Sequence, residues 1–343
     1  MIAGETREIL RPYRERNTVL ALRILAIDLV AYAACFAAIV VVPSPLAKAV
    51  LGAVLGLVIG RLFVIGHDAC HGSFTPNRRL NALIARVAFL PSLTPFGPWR
   101  LGHNQTHHAY TNRRGLDYVW APLATRDWSR VPPYRRLLER LYRSALGQGA
   151  NYLLEIWSAY LLVPRASTRR RWRSAYTADT LLVFAVAALT GTLVVALASR
   201  TNQSAPLLLL ATMTWPFLVW NALMGFVIYQ HHTDPAIHWY GAGEPVPETL
   251  QSDATQDVIF PGPVNVLFHN IMEHTAHHAD PSIPLYHLPA AQRRLISHDA
   301  AAVRTKRWTL PGFIETTRRC KLYDFEAGCW TDFQGRPTSS PRA

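Results

Sequence analysis

The sequence predicts an all-α integral-membrane protein: four transmembrane helices in two hairpins, with a cytosolic helical cap holding a histidine-rich site large enough for two metal ions. Three observations predict it. Four runs of about 20 residues are almost free of charge, basic residues avoid the two short connectors inside the hairpins, and most of the 14 histidines fall into a few tight groups.

The apolar runs cover 20–41, 45–66, 179–199 and 206–229. Each has the length needed to cross a hydrocarbon core roughly 30 Å thick. The first two are joined only by Val42-Pro43-Ser44, which makes 20–66 one hairpin, and 179–229 makes the second. Arg23, Lys48, Arg61 and Asp179 lie toward the ends of their runs, and Asp28 is the one acidic residue well inside. The remaining chain divides into a basic N-terminus (1–19), a central cap segment (67–178), a C-terminal cap segment (230–330) and a polar tail (331–343). Pro337, Ser339, Ser340 and Pro341 predict disorder for that tail. Residues 80–97 are apolar but too short to span and end in prolines, which predicts an interfacial or re-entrant helix. Residues 150–164 read the same way, because Trp157 and Tyr160 suit a membrane boundary.

Charge fixes the orientation. Residues 1–23 carry five Lys or Arg, 67–178 carry seventeen and 230–343 carry ten, whereas the connectors inside the hairpins carry almost none. Cytoplasmic segments beside membrane spans retain positive charge, so both termini and the histidine groups are expected in the cytoplasm. Basic loops beside anionic lipid also account for the net charge of +13 without nucleic acid, and no nucleic-acid-binding motif accompanies it. The first apolar run is too long, and too closely followed by another, for a cleaved signal peptide. Cys35, Cys70, Cys320 and Cys329 are scattered, which excludes a disulfide framework and a Cys-x-x-Cys site.

The histidines carry the chemistry. They form His67-x3-His71 after the second run, His103-x3-His107-His108 in the central segment, His231-His232 after the fourth run, and His274-x2-His277-His278 in the C-terminal third, preceded by His269. On a helix, residues three and four apart share a face, so each group can aim two or three imidazoles at one point. A catalytic zinc takes about three protein ligands. Eight to ten imidazoles suffice for two ions, although imidazole suits iron, copper, zinc and nickel alike. The chain has no Glu-x-x-His of the soluble di-iron bundles, no His-Glu-x-x-His and no Gly-x-Ser-x-Gly. It also lacks a Gly-x-Gly-x-x-Gly fingerprint and an iron–sulfur cysteine set, so electrons for a redox reaction must come from outside.

The order of these groups around two hairpins, with wording such as Gly66-His67-Asp68-Ala69-Cys70-His71, His231-His232-Thr233-Asp234-Pro235 and His269-Asn270-Ile271, resembles the membrane fatty acid desaturase superfamily, in particular its acyl-lipid, delta-12-like type. The resemblance covers about residues 50–290. It implies two iron ions that use O2 as co-substrate, held by His67, His71, His103, His107, His108, His232, His274, His277 and His278. His231 is the alternative to His232, and His269 is either a ligand or a neighbour of the ligands. Asp68, Asn104, Asp117, Asn270 and Glu273 are candidates to orient ligating imidazoles, whose second N–H usually meets a carboxylate or carbonyl. The implied reaction introduces a C=C bond into a fatty acyl chain carried on a lipid, a carrier protein or coenzyme A. A ferredoxin or cytochrome would be the external electron donor. The same superfamily contains hydroxylases, acetylenases and carotenoid ketolases, so the resemblance specifies the site more closely than the product. His238, His287 and His298 lie outside the groups.

Overall fold

A computed structural model describes residues 3–162, 173–261 and 263–342. In chain order its main elements are α1 (Ala3–Leu10), α2 (Thr18–Val41), α3 (Pro45–His71), α4 (Arg78–Phe89) and α5 (Phe96–Gly102). A π turn (His103–His107) continues α5. Then come α6 (Pro133–Tyr142), α7 (Gln148–Asn151, extended by a π-helical stretch Tyr152–Leu162), α8 (Arg173–Arg200) and a helical run α9 (Ala205–His232). The last third adds α10 (Leu250–Asp253), α11 (His274–Ala279), α12 (Leu288–His298) and α13 (Leu310–Arg319). Two small sheets complete it, β1 (Asp257–Ile259) parallel to β2 (Thr305–Arg307) and β3 (Leu322–Asp324) antiparallel to β4 (Cys329–Thr331).

Among the described residues, four helices are long and apolar enough to cross a membrane: Thr18–Val41, Pro45–His71, Tyr176–Arg200 and Ala205–His232. The stretch 80–97 falls in a helix pair, Arg78–Ser92 and Phe96–His107, bent by 102°, the geometry of a broken or re-entrant span. Of the stretch 150–164, residues 163 and 164 lie outside the described residues, and the rest is helical.

The chain divides into two units, and residues 16–100 with 157–224 form one. Its helices are held by close backbone approach. Gly52, Gly56 and Gly60 recur every four residues on α3, a small-residue stripe of the kind that lets membrane helices meet. A Cβ on Gly56 would stand 2.7 Å from the Val219 side chain and 2.9 Å from the Pro216 carbonyl. Asp28, odd in an apolar run, is buried in an ion pair with Arg61 at 2.8 Å. Pairing is what makes such charges tolerable inside a span. Asp179 is likewise bound by Arg86 at 2.8 Å and by the Gly97 amide at 2.8 Å. Phe63, Phe89, Trp99 and Trp220 pack together below His67.

The other unit contains residues 1–15, 101–156 and 225–343. Its core includes Trp120, Tyr142, Tyr229 and Phe313, with a second cluster of Trp239, Cys320, Tyr323 and Trp330. Residues 331–342 depart from the expected disorder. Thr338 donates its amide to the Trp330 carbonyl at 2.8 Å, Arg342 donates to the Gly328 carbonyl at 3.0 Å, and the Ser339 hydroxyl accepts from the Trp330 amide. Ser339, one of the residues that suggested a tail, supplies one of these bonds and backbone amides supply the others, so composition alone misread a segment that folds back on β4.

Candidate metal centre

The helix ends bring the histidines into place. α3 continues through His71 and stops where Gly72 adopts φ +74°, a left-handed cap suited to glycine. His67 and His71 therefore occupy the last two turns of the helix, where the sequence had placed them after it. Their rings stand 4.8 Å apart, one nitrogen of each lies within 4.8 Å of the other, and Trp99 packs edge-on against both. Asp68 is buried with Oδ1 3.4 Å from His67 Nδ1, at the long limit of a hydrogen bond. This pair belongs to the first unit described above.

All the other histidine groups lie in the second unit. His103 and His107 stand together as their spacing predicts, with rings 5.3 Å apart. The turn between them is widened, since His108 donates its amide to the His103 carbonyl at 3.0 Å, an i to i+5 bond, and this brings the His108 ring to 4.7 Å from His103 as well. His108 Nε2 lies 3.1 Å from His103 Nε2 and 3.2 Å from His277 Nε2. Three imidazoles thus converge. A second group gathers His107, His232 and His278, all buried, with donor nitrogens within 4.8 Å of one another, and His274 Nε2 stands 3.0 Å from His232 Nε2. Adjacent His277 and His278 therefore serve different groups.

These spacings suit a metal. With metal–nitrogen bonds of about 2.1 Å, two imidazoles at right angles on one ion have nitrogens about 3.0 Å apart, whereas tetrahedral ligands stand about 3.4 Å apart. Among the described residues the buried Nε2 of His278 has no hydrogen-bond partner, which leaves a lone pair for an ion. Burial, reinforced by neighbouring imidazoles, holds His274 and His278 well below the ordinary histidine pKa, so both are neutral and able to ligate at pH 7.

Several groups orient the rings. His107 donates Nδ1–H to Asp117, with both carboxylate oxygens within 3.0–3.1 Å. The same oxygens accept the backbone amides of Asn112 at 2.9 Å and Val119 at 3.0 Å. His232 Nδ1 faces the Ala254 carbonyl at 3.2 Å, which turns Nε2 toward the group. His231 instead stacks on His274 at 3.7 Å with Nε2 3.3 Å from the Met272 sulfur, so it joins neither group.

His269 also lies outside both groups; it is buried, with φ +50°, and precedes Asn270 at φ +61°. Asn270 donates to the Leu285 carbonyl at 3.4 Å, and Glu273, its pKa raised by burial, accepts from Asn265 at 3.3 Å. Asn104 sits on the π turn itself.

Sequence reasoning missed three polar residues. Asp257 accepts the Thr275 amide at 3.2 Å and Gln292 accepts the Ala276 amide at 2.8 Å, fixing the start of α11. Gln251 bonds His278 and the His108 carbonyl. No motif spacing points to them, because they come from β1, α12 and α10. An open cavity of about 500 Å³, lined partly by Arg7, Arg14, Gln251 and Asp280, reaches His108 and His278.

Residues 43–311 match the family model described as fatty acid desaturase. The chain is 29% identical over 283 residues to an sn-1 oleoyl-lipid 12-desaturase of Synechocystis sp., covering 80% of this chain and 75% of that one. It is 30% identical over 249 residues to an sn-1 acyl-lipid omega-3 desaturase (ferredoxin) of the same organism, covering 69% and 64%. A chloroplastic omega-6 fatty acid desaturase of Spinacia oleracea is 28% identical over 84% of this chain and 63% of its own length.

Proposed function

This chain belongs to the fatty acid desaturase family, and we infer that it is a membrane di-iron oxidoreductase that introduces a C=C bond into an acyl chain carried on a lipid. The observation that carries this reading is the pair of converging imidazole groups, with Nε2 atoms 3.0–3.2 Å apart. Relatives named as acyl-lipid desaturases support the substrate class, and the one named with ferredoxin supports an external electron donor of that kind.

The proposed ligands are His103, His108 and His277 for one ion and His107, His232, His274 and His278 for the other. For His67 and His71 the support is their shared helix face and the family wording of their motif; we propose them as iron ligands. His269 is left as a neighbour of the ligands. Two irons held there would supply the oxidising power that side chains lack; the overall reaction would couple O2, two external electrons and two protons to removal of two hydrogens from adjacent acyl carbons, with release of two waters. The residues position and insulate. Asp117 and the Ala254 carbonyl hold the Nδ1–H of His107 and His232, so that each presents Nε2. His107, His232 and His278 are each only 1–2% exposed, which limits the water that can reach them.

Expression with a ferredoxin system in a host supplying monounsaturated acyl lipids should yield a lipid acyl product two mass units lighter with a new double bond. A product sixteen units heavier would instead mark a hydroxylase on the same site.

The proposed topology is two membrane hairpins with both termini and all the histidine groups cytoplasmic, supported by the basic residues on those segments. Cysteines introduced at Ser44 and Gln203 should react with an impermeant thiol reagent from outside the cell. Labelling of an introduced cysteine in the central segment, with both connectors protected, would reverse the orientation.

A further inference from the structure

We propose that Gln251 is a positioning residue for the metal centre, selecting the His278 nitrogen that faces the ion and tying His278 to the backbone of His108. The proposal rests on the desaturase reading and extends it to a residue outside every histidine motif.

The geometry fixes the amide in one orientation. Gln251 Nε2 donates to the His108 carbonyl at 2.8 Å. Its Oε1 stands 2.8 Å from His278 Nδ1, with the Thr111 hydroxyl 3.2 Å from the same oxygen. A flipped amide would set its oxygen against the His108 carbonyl oxygen, a pair with no proton between them. The oxygen facing His278 can only accept, so His278 must carry its proton on Nδ1 and leave Nε2 with a lone pair. That Nε2 is the buried, unbonded atom of the second group.

The surroundings explain why an amide is needed. Gln251, His278 and His108 line the open cavity of about 500 Å³. Water entering there could replace the amide at Nδ1, but water donates as readily as it accepts and would leave the tautomer undetermined. The loop is itself anchored, since Thr255 Oγ1 donates to the Gln251 carbonyl at 2.7 Å. Gln251 thus arrives from a braced turn, and one side chain links a ligand of one group to the backbone of another.

The test uses the full chain in detergent, stripped of metal and titrated with Co2+, whose absorption reports ligand geometry. Gln251→Leu keeps the volume and removes both polar contacts. Gln251→Glu keeps the acceptor for His278 Nδ1–H and loses the donor to His108. Removing an orienting partner of a ligating histidine typically weakens metal affinity about 10- to 100-fold. Gln251→Leu should show that loss at one of two ions, with an altered cobalt spectrum and unchanged helical circular dichroism, and Gln251→Glu should bind within a few-fold of wild type. Equal weakening in both variants would mean that Gln251 only anchors the loop and would overturn the proposal, as would wild-type affinity in Gln251→Leu. Wild-type protein that took up no Co2+ would overturn the metal centre together with this role, whereas wild-type uptake retained by Gln251→Leu would overturn the role alone.

Discussion

Alanine in place of His278 is expected to abolish acyl desaturation and to lower bound metal, while leaving membrane insertion and helical content intact. His278 is buried, its ligand nitrogen sits within 4.8 Å of those of His107 and His232, and among the described residues its Nε2 has no other partner. A small side chain there removes a ligand and opens a void that admits water through the adjoining cavity. Loss of activity by at least about 100-fold follows, since even residues that only orient ligands typically cost 10- to 100-fold. The apolar helices that govern insertion are elsewhere in the chain, so the yield in the membrane fraction should match wild type. Activity within a few-fold of wild type, measured as unsaturated product per milligram of protein, would remove His278 from the ligand set.

Asparagine at Asp117 should cost about 10- to 100-fold in activity, with a matching loss of iron. Both carboxylate oxygens are committed: each lies near His107 Nδ1, one also accepts the Val119 amide and the other the Asn112 amide. An asparagine side chain in either orientation places an NH2 against a backbone N–H. The resulting mismatch is buried, where an unsatisfied donor costs about 1–3 kcal/mol. The turn that holds Asn112 at φ +56° should loosen as well, releasing the orientation of His107. Iron analysis beside turnover distinguishes this outcome from a simple effect on substrate binding, which would lower turnover at full iron content.

The membrane helices and most of the ligand candidates were legible in the sequence because both signals are local. A run of 20 apolar residues and a pair of histidines four apart each declare themselves within a short window. The boundaries were less legible. α3 carries His67 and His71 on its own final turns because Gly72 ends it, and an apolar-run criterion cannot see a helix extended by polar ligands. The π turn at His103–His107 was invisible for a related reason. A helix pattern assumes i to i+4 bonding, and only the bond from the His108 amide to the His103 carbonyl shows that the register widens there. The Gly52, Gly56 and Gly60 repeat was present as a spacing signal and went unread, although it sets how closely α3 meets α9. Gln251, Asp257 and Gln292 were beyond reach, since each finds its histidine segment only through tertiary folding.

The metal content of the purified full chain tests most directly whether histidines from several segments assemble a two-iron centre. Protein made in iron-replete cells and analysed by plasma mass spectrometry together with Mössbauer spectroscopy should contain two irons per chain, in a nitrogen-rich environment, with little zinc. A single zinc per chain, or iron absent while the protein desaturates lipid at full rate, would contradict the account.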